Sequence, residues 1–89
     1  MPDQDESPLR FPCQFPVKAM GRSRADLDSI VAELVRRHAP DLGEGAVSTR
    51  ESRDGNYVSV TVNVNATSRQ QLDSIYHELH ACEHIIMVL

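Results

Sequence analysis

The chain has no tryptophan and only four aromatic residues, Phe11, Phe15, Tyr57 and Tyr76. Base-stacking surfaces for single-stranded nucleic acid are built on aromatic rings, so that class of function starts with little material. Positive charge is also short. Nine Lys and Arg stand against thirteen Asp and Glu, a net charge of −4, where a nucleic-acid module should be basic. Long apolar runs are missing as well. The longest, at 85–89, is far below the ~18–20 residues of a membrane-spanning helix. The N-terminus has no basic segment followed by an apolar one, so no secretory leader is expected and the protein is placed in the cytoplasm. The two cysteines, Cys13 and Cys82, are too few for a disulfide framework.

What is there is one short globular chain of 89 residues, 40% hydrophobic and 25% charged. Residues 1–10 are polar, acidic and proline-bearing, and read as a flexible tail; residues 11–89 read as a single domain.

Pro12 and Pro16 lack the N–H that a central strand uses, so the first strand is expected from 15 or later to 20. Its alternation sets Phe15, Val17 and Ala19 on one face, Lys18 and Met20 on the other. Gly21 is expected to end it. Ser23 is read as the cap of a helix whose stripe is Leu27, Ile30, Val31, Leu34, Val35 and His38, stopped by Pro40. A weak, polar strand follows at 46–52, then an Asp54-Gly55 turn. The clearest strand alternates Val58, Val60, Val62 and Val64 with Tyr57, Ser59, Thr61 and Asn63. Ser68 and Gln71 form a capping box for a second helix with the stripe Leu72, Ile75, Tyr76 and Leu79. A last strand is expected at 84–89.

This order predicts an α+β, ferredoxin-like βαββαβ sandwich, a four-stranded antiparallel sheet with two helices on one face. The first and third strands are expected as central, parallel neighbours and the other two as edges. The sheet's second face is then open, with Lys18 and Met20 beside Tyr57, Ser59, Thr61 and Asn63. It is either a solvated polar face or a surface for a partner or small ligand. Cys13 and Cys82 fall at opposite ends of antiparallel strands, which predicts two free thiols.

Catalysis finds no support. Cys13 has no neighbouring base, and the first strand–helix loop is too short to cradle a phosphate. No catalytic residue and no cofactor is assigned. His77, His80 and His84 are the only metal candidates. His77 and His80 also close a helix, where imidazolium suits the dipole without any metal.

Several residue runs are specific in combination: Phe11-Pro12-x-x-Phe15-Pro16-x-Lys18-x-Met20-Gly21, Arg37-His38-Ala39-Pro40, Gly55-Asn56-Tyr57-x-Ser59-Val60-Thr61 and the closing Met87-Val88-Leu89. Together they resemble the YbeD-like family of small bacterial proteins over about residues 9–89. The resemblance implies a ferredoxin-like fold similar to ACT-type regulatory domains, where a glycine in the first strand–helix turn helps to hold an amino acid. Gly21 stands in the matching place.

The expectation is therefore a non-enzymatic cytoplasmic regulatory or protein-interaction domain. Its surface candidates are Lys18, Met20, Gly21, Asn56, Tyr57, Ser59 and Thr61. Its partner is a larger protein or a second copy of itself, with no role for nucleic acid or membrane. The alternatives are a sensor of an amino acid or organic acid near Gly21, and a metal-binding protein using the three histidines.

Overall fold

Four valines at alternate positions give the chain its central strand. Val58, Val60, Val62 and Val64 lie on one side of β3 (Tyr57–Ala66) and all four are buried. Branched side chains suit this half-buried pleated surface. The structure is a computed structural model and describes residues 10–23 and 26–89. The expected tail at 1–10 falls outside them except for Arg10, which is exposed.

β3 is flanked by β1 (Cys13–Arg22) and β2 (Val47–Glu51), and β4 (Met87–Val88) lies beyond β1, giving the order β2-β3-β1-β4. Every pairing is antiparallel. The expectation that the first and third strands run parallel is corrected. The helix after β1 carries the chain back, so β2 runs in the direction of β1, and the hairpin then reverses β3.

β1 begins earlier than expected and contains Pro16, opposite Asn63. The reason lies two residues on. Lys18 N–H donates to the Leu89 carbonyl at 3.3 Å and Leu89 N–H to the Lys18 carbonyl at 2.8 Å. Nitrogens two positions apart in a strand face the same neighbour, so the Pro16 nitrogen turns toward the β4 side. β4 does not reach that far, and no ladder bond is lost there.

The strand also continues through Gly21 to Arg22. Ser23 does not cap the helix; its N–H donates to the Asn56 carbonyl at 2.9 Å, prolonging the β1–β3 ladder. Asp26 takes the N-cap position of α1 (Leu27–Arg36), with no side-chain capping bond. Leu27, Val31, Ala32 and Val35 are its buried stripe, and His38 falls beyond its end. A 3-10 turn at Glu44–Ala46 precedes β2, so Ala46 is turn rather than strand.

α2 (Arg69–His80) starts at the expected Ser68 cap, though the Gln71 side chain reaches back to Thr67 rather than to the Ser68 N–H of a capping box. Ser68 Oγ accepts from Gln71 N–H at 3.1 Å, while Gln71 Oε1 accepts from Thr67 N–H at 2.7 Å. Leu72, Ile75 and Leu79 are buried. Both helices contribute to one core over the valine face, together with Val17 and Ala19. Each such aliphatic side chain contributes about 1.5–3 kcal/mol on burial.

The expected strand at 84–89 shrinks to Met87–Val88. Cys82 N–H bonds to Leu79 and Ile85 N–H to Cys82 at 3.2 and 3.1 Å, so 82–85 is spent in turns, and Ile86 N–H first rejoins the sheet at the Met20 carbonyl. Among the described residues no helix is long and apolar enough to cross a membrane.

Candidate functional site

Period-two alternation in β1 and β3 sends every second side chain away from the helices. The register makes Lys18 and Thr61 direct cross-strand neighbours, and likewise Met20 and Ser59. Lys18 is exposed; Met20, Tyr57, Ser59 and Thr61 are half-buried. Five of the seven expected surface residues therefore share one uncovered face.

The other two do not. Gly21 pairs with the inward-facing Val58. A Cβ on it would run into the backbone carbonyl of His84, with a Leu27 methyl 3.2 Å away. The close approach that Gly21 permits is thus made by the chain's own 82–86 turn. Positions 24 and 25 of the strand–helix turn lie outside the described residues. Asn56 sits before β3, where its carbonyl holds Ser23 and its N–H donates to Asp54 Oδ1 at 3.1 Å.

Four residues absent from the sequence expectation complete the face. Arg22 is the next outward position after Met20, and its guanidinium carbon lies 5.8 Å from the Tyr57 ring centroid, within cation–π range. Arg50 of β2 lies opposite Ser59. Met87 of β4 lies opposite Met20, and Leu89 follows beside Lys18. Met87 and Leu89 are 49% and 62% exposed, values that make them outliers among large apolar side chains. The alternation of Lys18, Met20 and Arg22 could have found Arg22. Arg50, Met87 and Leu89 needed the register of β2 and β4.

The electrostatics of this face differ from those of the whole chain. Lys18, Arg22 and Arg50 all point outward, and no Asp or Glu occupies an outward strand position among the described residues. Among the described residues none of the three cations has a carboxylate in ion-pair range. Toward the β2–β3 hairpin the face dips into an open hollow of about 570 Å³ between Met20, Arg50, Arg53, Tyr57 and Ser59, with Glu51 on its wall.

The hairpin tip is itself well held. Gly55 adopts φ +78°, a left-handed conformation that glycine takes without strain. Asp54 Oδ1 accepts from Asn56 N–H at 3.1 Å and from Ser52 Oγ–H at 2.8 Å. Those two bonds hold the Asp54 carboxyl below its ordinary 3.8.

On the helical side, Glu78 joins the end of α1 to α2. Its Oε1 accepts from Arg37 at 3.3 Å and its Oε2 lies 3.1 Å from His38 Nε2. Gln71 Nε2 donates to the His38 carbonyl at 2.8 Å. His77 lines the shallow hollow beside this cluster. His80 is the exposed last residue of α2, and His84 lies in the turn under β1. The three histidines do not converge, and among the described residues no three His, Cys, Asp or Glu side chains are placed to hold a metal ion. Cys13 and Cys82 are both free thiols.

Comparison with known proteins bears on the whole of this architecture. Residues 6–89 match the family described as protein of unknown function, DUF493. The chain belongs to that family. It is the YbeD-like group that the sequence motifs resemble, whose members also carry the name UPF0250. A UPF0250 protein of Chromobacterium violaceum is 46% identical over 89 residues, covering 100% of both chains. One of Nitrosomonas europaea is 41% identical over 85 residues, covering 96% of this chain and 98% of its own. The solution structure of protein HP0495 from H. pylori superposes with a TM-score of 0.73 at 14% identity, over 100% of this chain and 94% of that one. That likeness shows the α+β fold alone. Lys18, Met20, Tyr57, Ser59 and Thr61, which stand in the residue runs quoted for the resemblance, are among the outward positions of the two central strands.

Proposed function

We propose that this DUF493 chain is a non-enzymatic regulatory and interaction domain of the bacterial cytoplasm, ACT-like in its arrangement, which acts by engaging another protein through the open sheet face. One observation carries this reading. The face presents three outward cations without carboxylate partners among the described residues, next to two exposed apolar side chains, Met87 and Leu89. A merely solvated face has no need of exposed apolar residues at its edge, and contiguous ones mark interaction sites.

The sensor alternative draws less support, because the place above Gly21 is filled from within by the His84 carbonyl. The metal alternative draws less still, because His77, His80 and His84 lie apart.

Site-specific photo-crosslinking in the native bacterium tests the reading. A crosslinker at Ser59 or Thr61, on the sheet face, should give protein adducts; one at Ser29, exposed on α1, should not. Adducts from Ser29 alone, or none from the sheet face, would reject it. The variant Lys18→Ser with Arg50→Ser should lose the adducts while changing stability by no more than about 0.5 kcal/mol, since neither side chain has a partner to lose.

A further inference from the structure

The reading above leaves the chemistry of the partner open, and the inference here rests on that reading. We infer that the open face receives an extended, acidic segment of a partner protein, of the pattern acid–x–apolar–x–acid.

The argument starts from spacing. Lys18, Met20 and Arg22 are successive outward positions of β1. Each step of two residues along a strand covers roughly 6.6 Å, so the face repeats cation, apolar, cation at that interval. Met87 lies directly across from Met20 and widens the apolar centre. An extended peptide repeats its own side chains on one side at the same interval. A carboxylate, an apolar residue and a second carboxylate at every other position therefore meet Lys18, Met20 with Met87, and Arg22 in register. Arg50, across β3 from Met20, adds positive charge without altering the spacing.

Two other occupants fit less well. A second copy placed face to face would oppose Lys18, Arg22 and Arg50 to themselves, with like charges brought together. Single-stranded nucleic acid would want rings for its bases, and Tyr57 is the one aromatic on the face, already engaged by Arg22. Its phosphates have nothing to offer Met20 and Met87, and the chain's net charge of −4 opposes it.

The test uses the full chain and labelled short peptides read by fluorescence anisotropy. The probe carries Glu-x-Leu-x-Glu; its controls carry Lys-x-Leu-x-Lys and Glu-x-Ser-x-Glu. A labelled oligouridine is a fourth ligand. The probe should bind, at least about tenfold more tightly than the Lys control, and more weakly as salt rises. Lys18→Glu with Arg22→Glu should weaken it about tenfold and Met20→Ser several-fold, in variants whose circular dichroism and melting match the parent. No binding of the probe, equal binding of the Lys control, tighter binding of oligouridine, or an unchanged affinity in the charge variant each overturns the inference. So does a dimer in sedimentation that the charge variant leaves intact and that excludes the probe. If crosslinks from Ser59 persist while the probe fails, the partner chemistry is wrong and the face stands. If the crosslinks are absent too, both readings fall.

Discussion

The backbone carbonyl of His84 occupies the place that a side chain at Gly21 would take. Two segments more than sixty positions apart are thus packed backbone to backbone, and the 82–86 turn is seated against β1 just before β4 begins. Gly21 is needed for this approach, not for a left-handed conformation.

Gly21→Ala should therefore act on β4. The added methyl meets backbone, which cannot swing aside as a side chain would. A cost of about 1–3 kcal/mol is expected, as for other overpacked sites. In a domain of this size that lowers Tm by about 4–8 °C per kcal/mol. The amides of Ile86 and Leu89, bonded to Met20 and Lys18, should lose hydrogen-exchange protection before those of β3. A melting temperature equal to that of the parent would show that the turn yields freely.

Gln71 links the two helices through two different groups. Its Oε1 accepts at the start of α2, and its Nε2 donates to the His38 carbonyl at the end of α1. Gln71→Ala removes both and should cost about 1–2 kcal/mol. Gln71→Glu keeps the acceptor but turns a carboxylate oxygen toward the His38 carbonyl that Gln71 Nε2 bonds, and this repulsion opposes the about 0.3–1 kcal/mol that the helix dipole gives a negative charge in the first turn. It should cost at least as much as Gln71→Ala in urea denaturation. A loss less than half as large would mean that the bond to His38 carries little of the effect.

Asp54 sets a pH dependence at the hairpin tip. Its carboxyl is held below the ordinary 3.8 by the Asn56 N–H and, second, by the Ser52 hydroxyl. A carboxyl lowered in the folded state adds stability that is present above the unfolded value and lost as pH falls through the folded one. The hairpin should thus stay closed at pH 3.8 and loosen only below it. In an NMR titration the Asn56 amide should shift with a midpoint below 3.8, and Asp54→Asn should abolish that transition. A midpoint at or above 3.8 in the parent would contradict the bonding described.

Much of the architecture was legible in the residues because its signals are local. The valine alternation of β3, the stripe of Leu27, Val31 and Val35, and the Ser68–Gln71 cap each involve neighbours a few positions apart, where side-chain period and hydrogen-bond reach are fixed by backbone geometry. Three of the misjudged points depended on distant partners. Pro16 is tolerated because β4 stops short of it. Ser23 stays in the ladder because Asn56 accepts its N–H. The strand expected at 84–89 is short because the 82–85 turn must first carry the chain under Gly21.

The open face divides the same way. Sequence alone determined that Lys18 and Met20 share a side of one strand, and Tyr57, Ser59 and Thr61 a side of another, each opposite an apolar row, since alternation along one strand is a property of the chain itself. Only the tertiary structure decided that Arg50, Met87 and Leu89 join them, and that Gly21 does not. Register across β2, β3, β1 and β4 couples residues far apart in the chain, and a shift of one position would have sent each of those side chains to the opposite face.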